Sequence, residues 1–453
     1  MGVWQRLSRP WRHTPHGRML RLSPPEILLL GFTLLCLIGG GLLRLPMAAT
    51  VPLDWQEALF TATSAVTVTG LTVVDTSGFT GFGQLVLLIL IQVGGLGFMT
   101  FGALTLLLLG ARLPLQQQTL VRETLGSSSL SELSQLVRLV VAFAMVVEAL
   151  GTALLALHWV PELGWSRGLW ASLFHAVSAF NNAGFSLWPD SLTRDVGTPL
   201  VTLVVSALFI VGGLGFMVIS DIREKRRWGR FSMQTKIVLS ATLAINLMAM
   251  AAIASLEWHN PATLGGLDTF SDKLQAAWFQ AVTPRTAGFN SVDTAAMSDA
   301  STLLTMLLMF IGGGTSSTAS GIKLTTFIVL LLVARAFLRG TQPAAYGRAV
   351  GEQTVMKAVA VALAGVALVF VTLLVLCITD GRLAFLDLAF ESVSAFGTVG
   401  LSRGITEELS FPGQWMLMLT MLLGRVGPLS LGYFLATRRT RGMRYAEGHI
   451  QIG

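Results

Sequence analysis

The chain has 453 residues, 53% hydrophobic and only 12% charged, with a mean hydropathy of +0.68. A soluble globular protein needs far more charge to cover its surface, and long continuous apolar stretches argue against a β-barrel. The net charge of +7 does not mark a nucleic-acid binder: the basic residues concentrate at one end of the apolar stretches and the acidic residues at the other.

Residues 1–24 form a basic segment with Arg6, Arg9, Arg12, Arg18 and Arg21, followed by the apolar run Ile27–Leu43. The pair has the look of a cleavable signal, but the run opens a pattern that recurs three more times and is read as retained. Apolar stretches of about 20 residues, enough to cross a bilayer, are predicted near 26–44, 83–109, 135–158, 198–219, 235–256, 301–338, 354–378 and 411–437, the sixth being interrupted. Between each odd stretch and the next lies a segment of about 12 residues, too short to cross. These fall near 55–66, 169–180, 272–283 and 385–396. The connectors 112–134, 221–234 and 339–353 carry the basic charge and are expected to face the cytoplasm, with an acidic outer face that concentrates cations. Trp55, Trp159, Trp165, Trp170, Trp188, Trp258, Trp278 and Trp415 fall near outer ends, as an interfacial belt would. Cys36 and Cys377 sit in apolar runs and read as packing residues, and the histidines show no metal-ligand spacing.

A turn follows each short segment. The four read FTATSAVTVTGLT from Phe60, FHAVSAFNNAGFS from Phe174, FQAVTPRTAGFNS from Phe279 and FESVSAFGTVGLS from Phe390. Each carries a hydroxyl (Ser64, Ser178, Thr283, Ser394) and then a glycine (Gly70, Gly184, Gly288, Gly400), with Leu71, Phe185, Phe289 or Leu401 next. A second anchor recurs in the following stretch, as GGLG from Gly94, GGLG from Gly212, GGGT from Gly312 and GRVG from Gly424. From turn glycine to anchor the steps are 24, 28, 24 and 24 residues. Two anchors in register across four copies define an internal repeat. The expected fold is an all-α polytopic membrane protein of four tandem span–pore-loop–span repeats, with eight transmembrane helices and four re-entrant pore helices around one central pore. The repeats are expected at 25–110, 111–222, 223–340 and 341–440, with a tail at 441–453.

Irregular backbone at membrane depth must line water or be buried in protein. Four such loops around an axis can set rings of carbonyls in place of the water around a monovalent cation. The candidate filter is Val68, Thr69, Gly70; Asn182, Ala183, Gly184; Thr286, Ala287, Gly288; and Thr398, Val399, Gly400. Thr398–Val399–Gly400 reproduces the start of the potassium-channel filter signature. Asn181, Asn182 and the shorter third turn with Pro284 and Arg285 break strict fourfold symmetry.

The interruption of the sixth stretch, Gly312, Gly313, Gly314, Thr315, Ser316, Ser317, Thr318, Ala319, Ser320, Gly321, Ile322 and Lys323, is too small and polar for a lipid-facing helix and reads as a gate below the filter. Its spacing fails the Walker A pattern, so a nucleotide site is rejected. Arg425 lies within the eighth stretch and is expected to form a positive barrier and donate to carbonyls of 312–321. Lys323 is expected to snorkel toward the cytoplasm. Glu148, the one carboxylate deep in a stretch, is expected to pack through a hydrogen bond.

The four turns, the Gly-rich interruption and the ending HIQIG resemble the Trk/Ktr/HKT superfamily of potassium transporters over about 20–453. The absence of an extra helix pair before the first repeat is most like the KtrB-type membrane subunit. The resemblance implies one pore per subunit in a homodimer, an intramembrane gating loop at 312–323 with an arginine close by, and potassium selectivity from glycine in all four turns. It also implies a bacterial inner-membrane location, with both termini cytoplasmic, and a cytosolic ring of RCK-domain subunits of the KtrA type. ATP or ADP then acts only through that partner. Potassium is the substrate and Na+ a candidate activator, with no covalently bound cofactor. His449–Gly453 is expected to dock in the dimer interface. A sodium- or proton-coupled secondary carrier is the alternative, disfavoured because a single deep carboxylate makes no proton relay. No nucleophile–base set or paired carboxylates appear in the stretches, so no enzyme is expected.

Overall fold

The computed structural model describes residues 24–110 and 130–437. The basic segment up to residue 23, most of the connector 112–134 and the tail 441–453 lie outside the described residues. The first part comprises helices α1 (Pro24–Leu43), α2 (Trp55–Thr67), α3 (Gly81–Gly110), α4 (Leu130–Leu163), α5 (Trp165–Phe180), α6 (Pro199–Leu214) and α7 (Phe216–Lys225). Helices α8 (Met233–Glu257), α9 (Phe270–Val282), α10 (Asp299–Phe310), α11 (Leu324–Arg339), α12 (Glu352–Thr379), α13 (Phe385–Gly397) and α14 (Phe411–Thr437) complete it.

Among the described residues, five helices (α1, α3, α4, α8 and α12) are each long and apolar enough to cross a membrane. Helices α6 and α7 make a sixth candidate as a pair bent by 91°. The long helices turn Leu34, Leu37, Val146, Leu150, Leu247, Met248, Leu363 and Phe370 outward. Apolar surface on that scale is compatible with lipid rather than water. Polar residues are buried instead, many of them in the short helices α2, α5, α9 and α13 and the turns after them. Side-chain caps fix the starts of two of these helices. Asp54 and Glu57 form a reciprocal cap on α2, and the Thr269 hydroxyl accepts from the Asp272 N–H at 3.1 Å to cap α9. Each short helix carries a recurring phenylalanine (Phe60, Phe174, Phe279, Phe390) that is essentially fully buried. Truncation of such an anchor to Ala costs about 3–5 kcal/mol.

The last helix returns to the first. Helix α14 packs on α1 and α2, and Gln56 Nε2 donates to Gln414 Oε1 at 2.5 Å across this seam.

Three expectations change. The stretch 198–219 is not one continuous helix: α6 stops at Leu214, and Gly215, at φ +92°, turns the chain into α7. Trp159 and Trp188 are not belt residues. Trp159 is fully buried, with its ring 4.8 Å from that of Trp188; Trp188 stacks on His175, and Trp159 meets the same imidazole at a tilt. Finally, the connector 339–353 holds a small hairpin, β1 (Ala344–Ala345) and β2 (Arg348–Ala349). Tyr346 and Gly347 both have positive φ, the primed turn that a two-residue hairpin loop requires. Tyr346 Oη donates to Ser240 Oγ at 2.7 Å.

Candidate ion pathway

Each short helix ends by unwinding into its turn, and the four turns share one backbone signature. The residue two before each glycine is left-handed, with φ +56° at Val68, +60° at Asn182, +74° at Thr286 and +45° at Thr398. The glycines themselves lie at +95°, +70°, +77° and +91°. Left-handed φ at β-branched Val68, Thr286 and Thr398 is a genuine outlier that surrounding structure must enforce. The enforcing contacts start with the recurring hydroxyls. Ser64 Oγ accepts from the Gly70 N–H (3.0 Å) and Ser394 Oγ from the Gly400 N–H (3.2 Å). Ser178 and Thr283 work the other way, donating to the Phe185 carbonyl (2.8 Å) and the Phe289 carbonyl (2.7 Å).

The turns meet. A Cβ on Gly70 would stand 2.5 Å from the Ala183 carbonyl oxygen, and one on Gly184 would stand 3.0 Å from that of Ala287. A Cβ on Gly288 would stand 2.1 Å from the Val399 oxygen, and one on Gly400 would stand 2.2 Å from that of Thr69. The sequence of contacts closes on itself, turn one to two to three to four to one. At this ring only glycine fits, for want of space as well as for φ. All four glycines line one cavity of about 190 Å³, together with Ser186, Asn290, Ser402 and the acidic Asp75 and Glu407. At its rim Asp190 pairs with Arg194 (2.6 Å), whose hydrogen bonds hold the Asp190 carboxyl below its ordinary range. All twelve sequence-predicted filter residues thus sit in the four meeting turns.

Residues 312–323 form a buried loop between α10 and α11, opened and closed by an Ile311–Ile322 bridge. It plugs into the α6–α7 bend. The Gly314 N–H donates to the Gly213 carbonyl (2.8 Å), the Phe216 N–H to the Ser316 carbonyl (3.0 Å) and the Thr318 N–H to the Gly212 carbonyl (3.3 Å). Backbone groups freed by the bend are therefore satisfied by the loop, as apolar surroundings require. A Cβ at Gly215 would lie 2.3 Å from the Thr315 oxygen.

Arg425 is fully buried and reaches this loop, donating to the Thr318 carbonyl, to Ser320 Oγ (2.9 Å) and to the Gly94 carbonyl (3.4 Å). Its guanidinium lies over the Phe98 ring at 4.6 Å. The expected bonds to carbonyls of 312–321 are present. Lys323 does not simply extend toward water: its ammonium folds back onto the Ala319 carbonyl at 2.5 Å. Glu148 accepts from Gln92 Nε2 (2.9 Å) and Asn181 Nδ2 (3.1 Å), bracing the rear of the second turn.

Sequence reasoning missed three residues. Glu391 in α13 is fully buried and accepts from Ser402 and Thr406. Arg403 links Asp387 (2.5 Å) to Thr302 Oγ1 (2.9 Å), tying the fourth turn to α10. Gly215 makes the bend. Gly215 stands in the GGLG anchor from Gly212, but the matching Gly97 of the first copy lies inside an unbroken helix, so the motif gave no sign of a bend.

These features define a polytopic membrane protein built on re-entrant turns around one axis. The model of the TrkH cation transport protein family matches residues 32–439, and the chain belongs to that family. It is 48% identical to the Ktr system potassium uptake protein B of Bacillus subtilis, over 96% of this chain and 98% of that one. Its counterpart from Vibrio alginolyticus is 43% identical, with 95% of each chain covered. The potassium/sodium uptake protein NtpJ of Enterococcus hirae is 37% identical over 96% and 98%. The crystal structure of the potassium transporter TrkH from Vibrio parahaemolyticus superposes with a TM-score of 0.70 at 20% identity, covering 93% of this chain and 88% of that one.

Proposed function

We propose that the chain is the ion-translocating membrane subunit of a bacterial potassium uptake system, conducting in a channel-like manner. Potassium is the substrate. The twelve turn residues from Val68 to Gly400 named above form the filter, and 312–321 with Arg425 form the gate. The observation that carries this reading is the closed ring of glycines at the floor of a single cavity. A ring of backbone oxygens at that level replaces the hydration of a monovalent cation. The names of the relatives support potassium as the ion, and the NtpJ name, which gives potassium and sodium together, leaves room for sodium beside it.

The same reading divides the chain into repeats at 25–110, 111–222, 223–340 and 341–440. It places the protein in the inner membrane with both termini cytoplasmic. The "Ktr system … protein B" names support a multi-subunit assembly. We assign as partners a second copy of this chain and a cytosolic RCK-domain ring that carries any ATP or ADP response.

The deciding experiment is tracer rubidium uptake into proteoliposomes of purified protein, with potassium and sodium as competitors. Uptake that follows the cation gradient, with potassium competing far better than sodium, is expected. A fixed proton stoichiometry overturns the channel-like reading.

A further inference from the structure

The four turns are alike in backbone but not in what lies behind them. In turns one and four the polar side chains bond locally: Thr67 Oγ1 meets Thr69 Oγ1 at 2.7 Å, and the Ser64 and Ser394 hydroxyls serve their own glycines. Among the described hydrogen bonds, none runs from a side chain of those two turns to residues 312–323. Turns two and three differ, and they differ at the two positions where fourfold symmetry fails in the sequence.

Asn182 stands where turns one and four carry Val68 and Thr398. Its buried amide satisfies both ends when Nδ2 faces Thr318 Oγ1 (2.8 Å) and the Phe209 carbonyl (3.2 Å), with Oδ1 accepting from Thr286 Oγ1 (3.3 Å). One side chain thus touches the loop and the third turn together. Arg285 directly precedes Thr286, and its side chain points away from the ring. Nη1 donates to Asn246 Oδ1 on α8 (3.0 Å) and Nη2 to the Gly312 carbonyl at the start of the loop (3.5 Å). No carboxylate pairs with it among the described residues. Amide and guanidinium contacts made inside protein at membrane depth have no water to replace them when broken.

We propose that Asn182 and Arg285 couple the loop to the filter, so that displacement of the loop alters which cation the turns admit. This rests on the reading of 312–323 as a gate. When the loop withdraws, Asn182 loses Thr318 and Arg285 loses Gly312. The second and third turns, whose left-handed residues Asn182 and Thr286 are joined by that same amide, then lose a support that turns one and four never used. Linkage makes the coupling reciprocal: a cation that favours the supported filter also favours the seated loop.

The test cuts the contact from the loop side and leaves the filter sequence intact. Full-length Thr318→Val in proteoliposomes should raise rubidium uptake and shift the rubidium-to-sodium flux ratio on the order of fivefold, the lower end of typical coupling between sites. Thr318→Ser, which keeps the hydroxyl, should restore the wild-type ratio. Faster uptake in Thr318→Val with an unchanged ratio overturns the coupling and leaves the gate standing. Unchanged uptake and ratio overturn the gate reading and the coupling with it. If Thr318→Val does not elute as a folded species, Arg285→Lys carries the test. It keeps the charge but cannot span both Asn246 and Gly312, so an unchanged ratio there overturns the proposal.

Discussion

Replacing Gly288 with alanine probes the ring directly. The φ of +77° costs an L-residue roughly 1–2 kcal/mol. The larger effect is steric. The new Cβ would stand 2.1 Å from the Val399 oxygen, and ordinary contact begins at 3.4 Å, so 3.4 − 2.1 = 1.3 Å must be recovered by moving one turn away from the next. A displacement of about 1 Å in a positioned site costs on the order of 10²-fold in rate, or roughly 2.7 kcal/mol at the barrier. Rubidium uptake by Gly288→Ala should fall by that factor, with sodium competing more effectively in what remains. The control is Gly31 in α1, where a Cβ meets nothing within 4 Å. Gly31→Ala should leave uptake intact and stabilise the helix by roughly 0.5–1 kcal/mol. Uptake by folded Gly288→Ala within twofold of wild type, at unchanged sodium inhibition, would refute the argument that these backbones form the conduction path.

Five other substitutions separate the remaining parts. Arg425→Ala removes the bonds to Thr318, Ser320 and Gly94 and should raise uptake several-fold, with a stability loss of about 1.5–3 kcal/mol seen as a lower Tm; an unchanged transport rate sinks the barrier role. Gly215→Ala meets the Thr315 oxygen at 2.3 Å in a left-handed conformation and should cost about 2–4 kcal/mol while unseating the loop. An unchanged Tm contradicts that account of the bend. Glu148→Gln keeps the shape behind the second turn, so uptake should stay within twofold, and its abolition would assign the carboxylate a transport role. Ser64→Ala strands the Gly70 N–H, whereas Ser178→Ala only deprives a carbonyl of a donor. The first should lower Tm more, because an orphaned N–H costs about 1–3 kcal/mol and is tolerated less than an orphaned C=O. Equal shifts would contradict the opposite roles of the two hydroxyls.

The turns were legible because their chemistry is local. Small and β-branched residues before a glycine, at a fixed distance from a short helix, force the same backbone each time, and the spacing of Gly70, Gly184, Gly288 and Gly400 exposed it. The break at 312–323 was legible for the same reason, since nothing in it can face lipid. The bend at Gly215 was not, because a glycine in an apolar run is equally at home in a straight close-packed helix. Only the loop wedged against it decides the matter. The direction of Arg285 was hidden likewise. A sequence places that guanidinium beside a filter residue but not on which side of the backbone it leaves, and the bonds to Asn246 and Gly312 lie 39 and 27 residues away. Trp159 read as a belt residue because its position along α4 is right, while its partners His175 and Trp188 belong to the next segments.

The seam where α14 meets α1 and α2 has a consequence for how the molecule holds its shape. There Gln56 against Gln414, and Arg425 against Gly94, join opposite ends of the chain without a connecting peptide. Packing and hydrogen bonds, with no peptide link, make this junction. A backbone cut in the exposed linker between α11 and α12 would leave those two helices in the same position as α14 and α1, held by packing rather than by peptide.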